Sequence, residues 1–196
     1  MLTKEGYKKC IAIGQMVDSS LWTFIFIYTQ LHLARTITDE NRALVGIFEC
    51  VVGLAALSLL RKRQVIELAT RRLIFIQMLD LIASVATRFL VVSFPAAYMS
   101  TVAVRTSLIG KITMTAFNDL ENQIYSGAER TDLQVVLNQG SVAGALIGSG
   151  IAWLIVGVSI ETICWIAAGF CFVSYAYEMW LGCSLKSLVK RETANA

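Results

Sequence analysis

Long apolar runs separated by short charged connections set the organisation of this chain. Six runs have the length of membrane-crossing helices: residues of about 11–33, 43–60, 73–93, 97–117, 133–157 and 160–183. A helix rises about 1.5 Å per residue, so roughly 20 residues cross a hydrocarbon core. The runs are continuous rather than alternating, which predicts helices and not strands, and helices satisfy their own backbone in lipid. The expected fold is an all-α integral membrane protein, a single six-helix transmembrane domain over 1–196. The first run is too long and too polar for a cleaved signal peptide.

Composition agrees with this reading. The chain is 56% hydrophobic and 16% charged, with a mean hydropathy of +0.64. A soluble domain carries about a quarter charged residues. Lys and Arg are distributed unevenly among the connections. Lys4, Lys8, Lys9, Arg61, Lys62, Arg63, Arg71, Arg72, Arg130, Lys186, Lys190 and Arg191 fall on one side; Arg35 and Arg42 fall on the other. Positive loops stay inside, so both termini are expected in the cytoplasm. A multi-pass protein of a bacterial cytoplasmic (inner) membrane is the expected setting, with the lipid bilayer as its surroundings. The net charge of +3 then reflects topology, and no basic-aromatic pattern points to nucleic acid.

Little in the chain suggests enzyme chemistry. Cys10, Cys50, Cys164, Cys171 and Cys183 form no CxxC, and His32 is the only histidine. A zinc site or a Ser-His-Asp triad is therefore not expected, nor is a metal or cofactor. The chain lacks D-G-x-x-A-R and H-E-x-x-H. Asp39–Glu40 and Asp119–Glu121 read as solvated loop charges.

Charges inside the runs are more informative. Asp18, Glu49, Asp80, Arg88, Arg105 and Lys111 each lie within a predicted span. Facing lipid, each would cost about 2.5–3.5 kcal/mol or more, so they are expected to face protein or water. Counting from the span ends puts Asp18, Asp80 and Lys111 in a cytoplasmic layer, and Glu49, Arg88 and Arg105 in an outer layer. Within layers, Asp18 or Asp80 could neutralise Lys111, and Glu49 could neutralise Arg88 or Arg105. Gln77, Asp80, Ser84 and Arg88 recur at helical spacing as one polar stripe, and Gln15, Asp18, Ser19 and Trp22 form a shorter one. Ser107, Lys111 and Thr115 share a face from which Arg105 points away, so the two cations are expected to face different neighbours. Buried ion pairs that only fix packing are the alternative role for such residues.

Gly140, Gly144 and Gly148 recur every fourth residue on one helix face. Glycine lowers helix propensity by about 1 kcal/mol relative to alanine, so three in register require a close neighbour. In lipid such faces let backbones approach. The neighbour is expected to be either a helix of the same chain or a partner protomer.

The segment NDLENQIYSGAERTDLQVVLNQGSVAGALIGSG, residues 118–150, resembles the fifth helix of a major facilitator superfamily repeat and the loop before it. VAVRTSLIGKI, with Arg105 and Gly110, is similar to that family's fourth-helix motif, spaced one residue wider. RKRQVIELATRR is similar to its cytoplasmic loop G-x-x-x-D-x-x-G-R-R, with Glu67 at the acid and Arg71 and Arg72 at the final pair. Arg63 and Thr70 stand where the family has glycine. The chain has the size of one six-helix half, whereas members usually carry two. The resemblance implies a homodimer, or a heterodimer with another six-helix half, enclosing a path for a small solute. It implies that Asp18, Trp22, Arg105 and Lys111 line that path, with Gln15 and Asn138 in support. Glu67, Arg71 and Arg72 would form a cytoplasmic gate.

The expected function is secondary active transport by alternating access, coupled to protons through Asp18 or Glu49. Arg105 or Lys111 would suit an anionic solute group. A membrane substrate-binding subunit, or a non-transporting interaction or protective protein, is the alternative.

Overall fold

The computed structural model describes residues 2–195. The helices are α1 (Lys4–Thr36), α2 (Asp39–Leu60), α3 (Arg63–Arg71), α4 (Leu73–Ser93) and α5 (Pro95–Val104), followed by a π-helical turn (Arg105–Gly110). Then come α6 (Lys111–Asn122), α7 (Gly127–Leu154) and α8 (Ile160–Asn195). No strand occurs among the described residues. Five helices, α1, α2, α4, α7 and α8, are long and apolar enough to cross a membrane. The chain is an all-α protein with the build of a multi-pass integral membrane protein. The stretch predicted as the fourth span is helical throughout, as α5, the π turn and α6 in succession.

Local chemistry sets the helix ends. Thr3 caps α1 by accepting from the Gly6 amide, Thr38 caps α2 through Asn41, and Pro95 opens α5 where a missing N–H costs nothing. Gly157, at φ 99°, makes the turn between α7 and α8, in a region that side chains avoid. The sequence predicts a loop over residues 61–72. They include α3, in which Val65, Ile66 and Ala69 turn inward while Arg63, Glu67 and Arg71 stay exposed.

Helix α1 packs along α7, α4 along α8, and α2 along α5 and the π turn. Lys4 pairs with Glu192 at 3.7 Å, and Arg191 donates to the Leu2 carbonyl at 3.1 Å. Both termini therefore lie at one end of the bundle, the terminal end. Three apolar clusters follow one another along it. Tyr7, Leu73, Leu120, Leu133 and Leu185 fill the terminal end; Leu21, Phe24, Ile25 and Ala167 fill the middle; Leu33, Val91, Tyr98 and Cys164 fill the opposite end. The outside is apolar as well. Leu44, Ile47, Val51 and Leu54 of α2, and Leu146 and Trp153 of α7, are exposed, as suits helices solvated by lipid.

The glycine row of α7 rests on α1 of the same chain. A Cβ on Gly140 would lie 2.7 Å from the Ala12 carbonyl oxygen; on Gly144 and Gly148 it would strike the carbonyl oxygens of Met16 and Ser20. Of the two neighbours expected for this face, the structure supplies the intrachain one, and α1 fills it. The glycine Cα–H groups pointing at these carbonyls make the weak C–H···O contacts typical of close helix pairs.

Candidate functional site

Between the terminal and middle clusters a half-open cavity of about 310 Å³ enters the bundle. Helix α1 supplies Gln15, Asp18 and Trp22, α4 supplies Asp80, and the π turn supplies Arg105 and Gly110. Asn118 and Glu121 come from α6, Gln134 and Leu137 from α7, and Tyr175 and Glu178 from α8. The bottom of the cavity is a closed ring of three side chains. Arg105 Nε donates to Asp80 Oδ1 at 2.8 Å, its Nη2 donates to the Tyr175 hydroxyl at 2.8 Å, and that hydroxyl donates to Asp80 Oδ2 at 2.7 Å. Ser84 lies 2.8 Å from the same hydroxyl, whose proton is already given to Asp80, so Ser84 donates. Asp80 and Arg105 are each only 6% exposed. Charge-assisted bonds of this kind offset part of a desolvation penalty that attraction alone rarely covers.

Trp22 lies over this ring. Arg105 Cζ is 4.2 Å from the indole centroid and Arg88 Cζ is 4.8 Å from it, within cation–π range. Arg88 does not line the cavity. It is 2% exposed, and none of its guanidinium nitrogens has a hydrogen-bond partner; Arg105 Nη1 has none either. Asp18 and Glu178 face the cavity, and neither belongs to an ion pair among the described residues; the Trp22 indole and the Ser174 hydroxyl adjoin the Asp18 carboxyl. The polar stripe of α4 is buried along its length: Gln77, Asp80, Ser84 and Arg88 all point inward.

At the terminal end of the cavity, Glu121 is 2% exposed and accepts from the Tyr7 hydroxyl at 3.1 Å and from Arg130. Arg130 Nη2 also donates to Asn118 at 2.7 Å. Beside it, burial, then the negative charges of Glu121, Glu5 and Glu129, push the Tyr125 phenol up to about 12. A larger cavity, about 690 Å³, lies at the opposite end between α1, α7 and α8, and only His32 and Arg35 among its lining residues can carry charge.

The structure brings Gln15, Asp18, Trp22, Asp80 and Arg105 together and leaves other expected residues outside. Asp80 and Arg105, assigned to different layers, pair directly. Lys111 reaches neither Asp18 nor Asp80; it is half-buried against α2, where a Cβ on Gly53 would lie 3.9 Å from its Cε. Glu49 reaches neither Arg88 nor Arg105. It is exposed on α2 and accepts from Thr106 at 3.2 Å and Ser107 at 3.4 Å. Asn138 is exposed on α7, away from the cavity that Gln134 and Leu137 line.

Glu67, Arg71 and Arg72 lie exposed at the terminal end. The link from α3 to α6 is made instead by Arg63 and Thr70, the two positions where the loop departs from glycine. Arg63 Nη1 meets Asp119 at 2.9 Å and Thr70 donates to it at 3.3 Å, while Glu67 is held only by Arg63, at 3.2 Å. Tyr175 and Glu178 are site residues absent from the sequence expectations, and the expectation of solvated loop charges at Asp119 and Glu121 is corrected: both lie in α6, and Glu121 is buried at the cavity, held by Tyr7 and Arg130. Glu178 lies inside the sixth predicted span, so the cost of an intramembrane charge marks it as it marked the others.

Comparison of the chain with protein-family models, curated proteins and solved structures finds no match.

Proposed function

We propose that this chain is one six-helix half of a secondary transporter, working as a dimer of halves with both termini in the cytoplasm. The run from Pro95 to Asn122 supplies the sixth crossing. The observation that carries the reading is the half-open cavity, into which Asp18, Asp80, Arg105 and Glu178 converge from four helical segments. Ionisable groups gathered around a cavity inside a membrane bundle are the parts of solute sites and proton relays. A second half facing this one would close the cavity into a path that opens alternately to each side. Glu49 supports the dimer: an exposed carboxylate in the middle of α2 is costly against lipid and better placed against protein. Asp18, which faces the cavity and belongs to no ion pair among the described residues, is the residue assigned to proton coupling.

Native mass spectrometry from lipid nanodiscs tests the assembly, and proton-driven flux into proteoliposomes tests the activity. A two-chain mass is expected, with Asp18→Asn keeping that mass while losing coupling. A stable single chain, or unchanged coupling in Asp18→Asn, overturns the corresponding half of the proposal.

A further inference from the structure

The charges around Trp22 are unsatisfied in a complementary way. On one side, Arg105 is nine-tenths buried and lines the cavity, yet its Nη1 has no partner. Arg88, with its Cζ 4.8 Å from the same indole, has no partner for any guanidinium nitrogen. A buried guanidinium without acceptors is costly, so these groups are built to receive an acceptor. On the other side, Asp18 and Glu178 face the cavity and belong to no ion pair of the described residues. The remaining charges there are matched: Asp80 pairs with Arg105, and Glu121 with Arg130. What is left over is two acceptors of positive charge, and donors covered by the Trp22 ring.

We propose that the cavity binds a small zwitterion, a solute joining an amine to a carboxylate; this rests on reading the cavity as a solute site. The solute's ammonium lies between Asp18 and Glu178. Its carboxylate displaces the Trp22 indole and accepts from Arg105 Nη1 and Arg88. A simple anion would leave the two carboxylates unpaired and repelling it. A simple amine would leave the guanidinium donors orphaned. A zwitterion satisfies both without adding net charge to the cavity.

The test places the protein in nanodiscs with Trp153, Trp165 and Trp180 changed to Phe, so that fluorescence reports Trp22 alone. All three replaced rings are exposed. Two zwitterions of different reach, leucine and 5-aminopentanoate, are titrated beside their amine-only and acid-only counterparts. For leucine these are 3-methylbutylamine and 4-methylpentanoate; for 5-aminopentanoate, butylamine and pentanoate. At least one zwitterion is expected to change Trp22 emission saturably and to bind at least about tenfold more tightly than either counterpart. Glu178→Gln, which leaves the Asp80–Arg105–Tyr175 ring intact, should remove that preference while acid-only binding is retained and tightened, because one repelling carboxylate is gone. No binding by either zwitterion, or an amine or acid that binds as tightly, overturns the proposal. Binding is read without flux. Zwitterion binding with no transport would therefore sink the transporter reading alone, and transport without zwitterion preference would sink this inference alone.

Discussion

Adding one methyl group to Gly144 tests the tightest helix contact in the fold. In Gly144→Ala the new Cβ would strike the Met16 carbonyl oxygen and lie 2.8 Å from Ser19 Cβ and 3.0 Å from the Met16 carbonyl carbon. Carbon atoms rest at about 3.5–4.0 Å, so α1 and α7 must part by roughly 1 Å. Backbone atoms on a long helix cannot move aside as a side-chain tip can. The separation therefore spreads to Gly140 and Gly148, and a gap of this size forfeits about a quarter to a half of each contact's attraction. Overpacking costs about 1–3 kcal/mol, against about 1 kcal/mol returned by alanine's better helix propensity. The expected net loss is up to about 2 kcal/mol. Gly150→Ala is the matched control on the same helix, with nothing within 4 Å of its Cβ, and it should be neutral or stabilised by up to about 1 kcal/mol. Reversible unfolding by dodecyl sulfate in mixed micelles, followed by tryptophan fluorescence, reads both variants. Equal midpoints for Gly144→Ala and Gly150→Ala would refute the close-packing argument.

Two other perturbations follow from named contacts. Asp80→Asn leaves the Arg105 guanidinium buried without its counter-charge and should cost about 3–5 kcal/mol in the same unfolding assay, whereas the double variant Asp80→Asn/Arg105→Gln should recover part of the loss; a double variant no better than the single one would argue against charge as the cause. The Tyr125 phenol, at an ordinary value of 10.0 in the unfolded chain and about 12 when folded, contributes stability that is complete below pH 10 and lost as pH rises through 12. Tyr125→Phe should flatten that part of the stability profile, and an unchanged slope would remove Tyr125 as its source.

The parts of the fold that depend on local pattern were legible in the sequence. Apolar runs locate the long helices, and the spacing of Gln77, Asp80, Ser84 and Arg88 identifies a buried face of α4 before any contact is known. Gly140, Gly144 and Gly148 announce a close neighbour but not which one, because a glycine row fits α1 of the same chain as well as a second copy. Pairing was the weakest inference. Depths counted from span ends assume that spans begin at a common level and rise uniformly. The π turn at Arg105–Gly110 breaks the second assumption, and Arg105 meets Asp80 across the expected layers. The helix α3 was hidden because its few apolar positions lie within a charged segment that read as a loop motif. Asn138 is placed by resemblance alone, and although it follows Gln134 by four residues it lies exposed outside the cavity.

The contact between α1 and α7 has a further consequence. Ala12, Met16 and Ser20 meet Gly140, Gly144 and Gly148 in the same order, so the two helices run in parallel and their row repeats every fourth residue. A row of this kind nearly superimposes on itself after a slide of about 6 Å, four residues of helical rise. Gly144 would then seat on Ala12 and Gly148 on Met16. The glycines thus make a rail with more than one seating. The actual seating is chosen by contacts that do not repeat: Ser19 with Ser141 at 3.1 Å, Lys8 with Asp132, and the Tyr28 hydroxyl on the Ala152 carbonyl at 2.9 Å. Closeness and alignment along this pair are specified by different residues, so substitution at Ser141 or Asp132 can shift one while leaving the other in place.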